Sequence, residues 1–260
     1  MSSIGGAQMA RALDYPLLVL VASLAVFWLS ARIGSWLGRG QRRDEGEGDD
    51  FRFLLGGTLT LLGLIIGFTF SMAVGRYDER KNYEEQEANA IGTEYVRAGL
   101  MSAAEAAKVR GLLRRYLDRR MTFYTSRDAQ QLRETDAEAA RLQAEMWSVV
   151  ESYGSAQPAA VPALVVSGMN DVLNSQGYTQ AAFWNRIPIG AWLLMLAIAI
   201  FCNLLVGYGA RGRRVTLFLI LPVALSITMF LIAEIDSPRT GMIRVGHQNL
   251  QAVVDSLRAP

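Results

Sequence analysis

Residues 53–74 run for 22 positions without a charged side chain, and this run limits the chain more than any other feature. At about 1.5 Å per residue, a helix of that length crosses the ~30 Å hydrocarbon core of a bilayer. Lipid offers the backbone no water to bond, so such a run must satisfy its own amides as a helix. Three further runs read the same way: 16–37, 187–207 and 215–233. The expected fold class is all-α, with four transmembrane helices. A mean hydropathy of +0.19 agrees, being too apolar for an ordinary soluble domain of 260 residues. The first run is read as a retained helix and not a signal peptide, because it is long and no clear small-residue cleavage site follows. Trp28 and Trp36 suit an interfacial end, and Arg32 can snorkel to the same level.

The polar, glycine-rich stretch 38–50 is expected to be a short exposed loop. No helix stop follows residue 74. The second helix is therefore expected to leave the membrane as one rod reaching about residue 98, helped by Arg80/Glu84 and Lys81/Glu85 at i,i+4. Residues 102–181 read as helical turns of an extramembrane module. Ser102-Ala-Ala-Glu105 is a capping-box pattern that opens a helix to about 124. Helices at about 129–152 and 159–174 follow, parted by a break at 154–158. Their apolar stripes, including Leu113, Tyr116, Met146, Val150 and Met169, have helical spacing and are expected to pack as a core. Pro188 lies near the start of the third span, and Pro222 is expected to kink the fourth. A short helix is expected around 248–257. The chain thus divides into spans 1 and 2 (1–75), a helical module (76–186), spans 3 and 4 (187–236) and a tail (237–260).

There is one cysteine, Cys202, and one histidine, His247. An intrachain disulfide, a Cys/His zinc site and a convincing Ser/His/Asp triad are excluded. No phosphate-binding glycine motif is present. No catalytic residues, no cofactor and no metal site are expected, and the chain does not read as an enzyme. A formal charge of +2 gives no reason to expect nucleic acid as a partner. The acidic stretch 44–50 lacks EF-hand spacing and is read as solvated. His247 is read as an exposed tail residue. No span carries a charge in its middle, which disfavours ion-coupled transport and suits a passive pore or a non-transporting protein. Arg32 and Glu234, at span ends, read as interfacial anchors. Four spans put both termini on the side of the module. Arg39, Arg42, Arg43, Arg211, Arg213 and Arg214 lie on one side, against Arg76, Arg80, Lys81, Arg186, Arg239 and Arg244 on the other, so charge leaves the orientation open.

The second span carries two stripes. Gly63, Gly67, Ser71 and Gly75 fall at i,i+4, which lets helix backbones approach closely, within one subunit or between subunits. Thr60, Leu64 and Phe68 form a bulkier stripe. In a ring of subunits it would line a hydrophobic neck that gates by dewetting; otherwise it meets lipid or core. Arg76, Tyr77, Asp78, Arg80, Glu84, Glu85, Glu87 and Asn89 follow directly. They either fix the rod against neighbouring subunits or form a solvated, salt-bridged helix face.

The stretch 66–80, IGFTFSMAVGRYDER, continuing into 87–93, EANAIGT, resembles the bacterial bestrophin-like family, formerly a domain of unknown function. Asn185-Arg-Ile-Pro188 and 235–244, IDSPRTGMIR, resemble the same family, so the resemblance spans roughly 53 to 250. That family is distantly similar to the true bestrophins, pentameric anion channels with four spans per subunit whose second span lines a hydrophobic neck. The resemblance implies a homo-oligomer, a pentamer, in the bacterial inner membrane. It would pass small inorganic ions, anions among them, through a central pore, with arginines on the rods concentrating anions. It also implies that the termini and the 76–186 module are cytoplasmic. Matching Gly67-Phe68 to the bestrophin Gly-Phe pair places Thr60, Leu64 and Phe68 on the neck. Matching Tyr77-Asp78 to the bacterial Tyr-Asp pair instead places Gly63, Gly67 and Ser71 there. The acidic cluster that clasps calcium in animal bestrophins is not reproduced after Asp236, so calcium activation is not implied. The rival expectation is a non-conducting membrane scaffold or signalling protein whose 102–181 surface binds a partner.

Overall fold

A computed structural model describes residues 13–39, 45–156, 160–209 and 217–258, and every regular element among them is helical. We number the α-helices α1 (Pro16–Leu37), α2 (Glu45–Arg97), α3 (Ala103–Thr125), α4 (Ala129–Ala156), α5 (Ala160–Trp184), α6 (Ile189–Gly209), α7 (Leu217–Asp236) and α8 (Gln248–Arg258). A 3₁₀ turn, Ala98–Leu100, follows α2. Four stretches of helix are long and apolar enough to cross a membrane. The continuous second helix appears as expected, 53 residues long. It starts earlier than expected, however, because residues 45–50 are helical and not loop. Residues 40–44 of the expected loop and the basic turn 211–214 lie outside the described residues.

The chain forms two compact units. The first is Met1–Tyr77 with Arg186–Arg244. In it, α1 packs on α6 and α7. Phe27, Leu62, Ala73, Trp192, Met195, Ala199, Cys202 and Ile232 fill its core. The closest helix crossing uses glycines that the small-residue stripe did not flag. A Cβ added at Gly34 would stand 2.0 Å from the Leu204 carbonyl oxygen, and one at Gly207 would stand 2.0 Å from that of Ala31. Helices α1 and α6 therefore meet backbone to backbone. Buried Ser30, Thr69 and Ser226 return their hydroxyls to the carbonyl four residues back, at 2.7–2.8 Å, which keeps them satisfied in an apolar setting. Pro222 sits inside α7.

The second unit is Asp78–Asn185 with Val245–Pro260. Its core joins Ile91 of α2, Leu113 and Tyr116 of α3, Met146 and Val150 of α4, Val165, Met169 and Val172 of α5, and Leu250 of α8. The capping box at Ser102 and Glu105 is formed in both directions. Two helices outrun their expected ends. Helix α4 passes Gly154 to Ala156, and Tyr153 donates to the Leu100 carbonyl at 3.2 Å. Helix α5 continues ten residues past Asn174, to Trp184. Asn174 and Gly177 are poor helix formers, but Ser175, Thr179, Ala182 and Phe183 keep one buried stripe at steps of three and four residues. Burial of that face overrides local propensity. His247 is half-buried, not exposed.

Candidate functional site

Helix α2 carries the residues singled out by the sequence, and its burial pattern sorts them. Leu62, Thr69 and Ala73 are buried in the first unit; Arg80, Glu84, Glu87, Ile91 and Glu94 are buried in the second. Their spacing keeps to multiples of a helical turn, so they form one side of the helix. The other side is open. Thr60, Gly63, Leu64, Gly67, Phe68, Ser71 and Gly75 are all exposed in the first unit, Leu64 at 53% and Phe68 at 66%. A Cβ added at Gly63, Gly67 or Gly75 would meet nothing within 4 Å. These glycines therefore make no close helix contact within the subunit. Of the four apolar windows, that of α2 is the least covered, with 11% of its residues buried. A long apolar helix face left open in one copy of a chain is suited to lipid, to another copy or to a pore.

The motif after the span is divided between the two sides of the helix. Asp78 and Asn89 are exposed, Arg76 and Tyr77 half-buried, and Arg80 and Glu87 fully buried. Asp78, Glu85 and Asn89 are exposed in the single subunit, whereas Arg80, Glu84 and Glu87 are covered by their own subunit. Arg80 Nε donates to the Ala182 carbonyl of α5 at 3.3 Å. Glu84 receives the Leu250 amide at 2.9 Å and the Asn249 side-chain amide at 2.6 Å. Its carboxylate thereby caps the first turn of α8, where a backbone N–H without an intrahelical partner and the helix dipole favour an anion. Glu87 is the centre of a buried network. Arg120 donates to it through both Nε and Nη2, and Tyr124 and Thr179 each donate to its Oε2 at 3.1 Å. Burial opposes the charge on Arg120, but the adjacent Glu87 carboxylate outweighs that and holds the guanidinium protonated. Burial, reinforced by the Glu87 charge, pushes the Tyr116 and Tyr124 phenols up. Both phenols remain neutral donors at any physiological pH.

Arg120, Tyr124 and Thr179 were not picked out by the sequence reading. One signal was available for Arg120. It falls four residues after Tyr116 and three before Phe123, on the apolar stripe of α3, and an arginine there needs a buried anion.

A second polar node joins two of the family-like stretches. Arg186 bonds Asp14 at 2.7 Å and Asp236 at 3.0 Å, and the Ile187 amide donates to Asp236 at 3.1 Å. Glu234 is buried and accepts from the Met242 and Ile243 amides. It thus ties the turn after α7 rather than serving as an interfacial anchor, because free amides in that turn need an acceptor. Among the described residues there is no group of three or more His, Cys, Asp or Glu side chains placed to hold a metal ion.

Four membrane-length helices, one of them extended far beyond the span, define a multi-pass, all-helical membrane protein. The family model of the bestrophin-like domain matches residues 17–250, and the chain belongs to that family. No curated protein matches it in sequence. Among solved structures, a bacterial bestrophin homologue from Klebsiella pneumoniae superposes with a TM-score of 0.61 at 14% identity, covering 93% of this chain and 95% of that one. A tyrosine-to-alanine variant of a K. pneumoniae homologue gives 0.59 at 15%, covering 92% and 96%. A membrane protein with a leucine-to-alanine change gives 0.63 at 13%, covering 91% and 97%. At these identities the likeness concerns the fold.

Proposed function

We propose that the protein is a homo-oligomeric passive ion channel whose second helix lines the pore. The open face of α2 carries this reading: its residues are apolar or small through the membrane and exposed in their own subunit, and a Cβ added at Gly63, Gly67 or Gly75 would meet open space. A ring of copies, a pentamer by family resemblance, would turn Thr60, Leu64 and Phe68 to a shared axis. Apolar rings at such a constriction repel water and resist ions without any charge. The bacterial inner membrane is the setting, with the termini and the 76–186 module in the cytoplasm. A reporter fused after residue 260 that is active only in the periplasm would overturn that orientation.

Anion preference follows from the resemblance. One observation favours a second reading, cation preference. Of the arginines just after the span, Arg80 is buried and Arg76 half-buried, while the exposed charged positions there are Asp78, Lys81 and Glu85. The sign of the reversal potential under a salt gradient decides between the two.

The test of conduction uses purified protein in planar bilayers. Replacing Leu64 and Phe68 together by alanine should widen and wet the neck and raise conductance several-fold. If Gly63→Ala or Ser71→Ala changes the current while Leu64→Ala does not, the neck lies in the other register. If wild type and double variant are both silent under every gradient, the protein is a non-conducting scaffold whose 102–181 surface is the working part.

A further inference from the structure

Glu94, in the last turn of α2, is fully buried, yet neither of its carboxylate oxygens has a hydrogen-bond partner. Buried carboxylates are nearly always paired, because an isolated charge in a low-dielectric site is very costly. An orphan of this kind calls for an occupant. Its seat is built by Gly168 of α5. A Cβ there would stand 2.0 Å from Glu94 Oε2 and 2.5 Å from Arg97 Nη1, so only glycine lets the two side chains lie against the α5 backbone. The charged groups facing Glu94 are Arg97 on its own helix and Asp171 on α5. Arg110, from α3, is engaged elsewhere, donating to the Tyr95 carbonyl at 3.1 Å. Gly168, Arg97 and Asp171 also line a cavity of about 330 Å³ together with Gln86, Asn89 and Thr93. Asn89 and Thr93 are exposed, so this cavity brings water close to the seat. A metal ion is a poor occupant beside Arg97, whereas a proton removes the charge that burial penalises.

We propose that Glu94, buried where α2 lies against Gly168 of α5, is a proton-binding site. Burial lifts its carboxyl to about 8 against the opposing pull of Arg97, and Asp171 adds to the rise. Between the ordinary carboxylate range and about pH 8 the folded protein holds a proton that the unfolded chain has released. Stability therefore falls as pH rises through that window, and is flat above it.

The test compares wild type with Glu94→Gln, which keeps the shape and neutrality of the protonated form, both full-length in lipid nanodiscs. Infrared pH-difference spectra of wild type should show a carboxylic-acid C=O band that disappears with a midpoint near pH 8. The glutamine variant should lack it, and its melting midpoint should no longer fall with rising pH. Absence of the band, or its survival in the variant, overturns the proposal. So does a rise in melting midpoint with calcium or magnesium seen in wild type and lost in the variant, because the site would then take a metal ion. An intact infrared titration with silent bilayers supports the proton site and removes only the channel reading.

Discussion

Glu87 and Arg120 show how much of this protein's specificity lies in single buried charges. Both are fully buried, and each is the other's main partner. Glu87→Ala should leave the guanidinium uncompensated and destabilise the protein by about 3–5 kcal/mol, while replacing both residues by apolar ones of similar volume should cost far less. Denaturation midpoints of the two single variants and the double variant check this as a mutant cycle. Glycines divide just as sharply. Gly207→Ala forces a methyl against the Ala31 carbonyl and should cost about 1–3 kcal/mol, whereas Gly63→Ala meets open space and should stay within about 0.5 kcal/mol for the isolated subunit. The sequence made the residue types visible but not their sides. Gly34 and Gly207 stand apart from the i,i+4 stripe that drew attention, and their pairing is a property of two helices distant in the chain. Arg80, Glu84 and Glu87 look like surface charge until the helices that cover them are placed.

At the scale of elements, the spans and the long α2 were legible because hydrophobic length and an absence of stop signals are local properties. The ends of α4 and α5 were not. Gly154, Asn174 and Gly177 are local stop signals, and they were outweighed by faces that the neighbouring helices bury. The acidic start of α2 was misread for the same reason that caps are useful: charge there marks a helix end as well as a loop. The open face of α2 carries its own prediction. Gly67 has no neighbour in its subunit, so Gly67→Leu should leave the fold of each copy intact and act on assembly. Circular dichroism should be unchanged while light scattering in detergent shows loss of the native oligomer. A wild-type mass would mean that the stripe faces lipid or the pore.

At the scale of the whole molecule, the class was legible and the site was legible in part. The stripe pattern pointed to a helix whose face is open in the single subunit, but two registers fitted the spacing, because adjacent stripes on one helix differ by about a quarter turn. Exposure in one subunit does not separate them either, since both stripes are open. The central claim is that these open faces meet water at a common axis. The chain's one cysteine, Cys202, is buried, so an introduced thiol can be read against a quiet background. The most direct measurement is the current through Phe68→Cys protein in a bilayer before and after a charged, membrane-impermeant thiol reagent. Phe68→Cys protein should be blocked rapidly and lastingly, with wild type unaffected. A thiol at Phe68 that conducts normally and never reacts would contradict it, because that side chain would then face lipid and not the path of the ions.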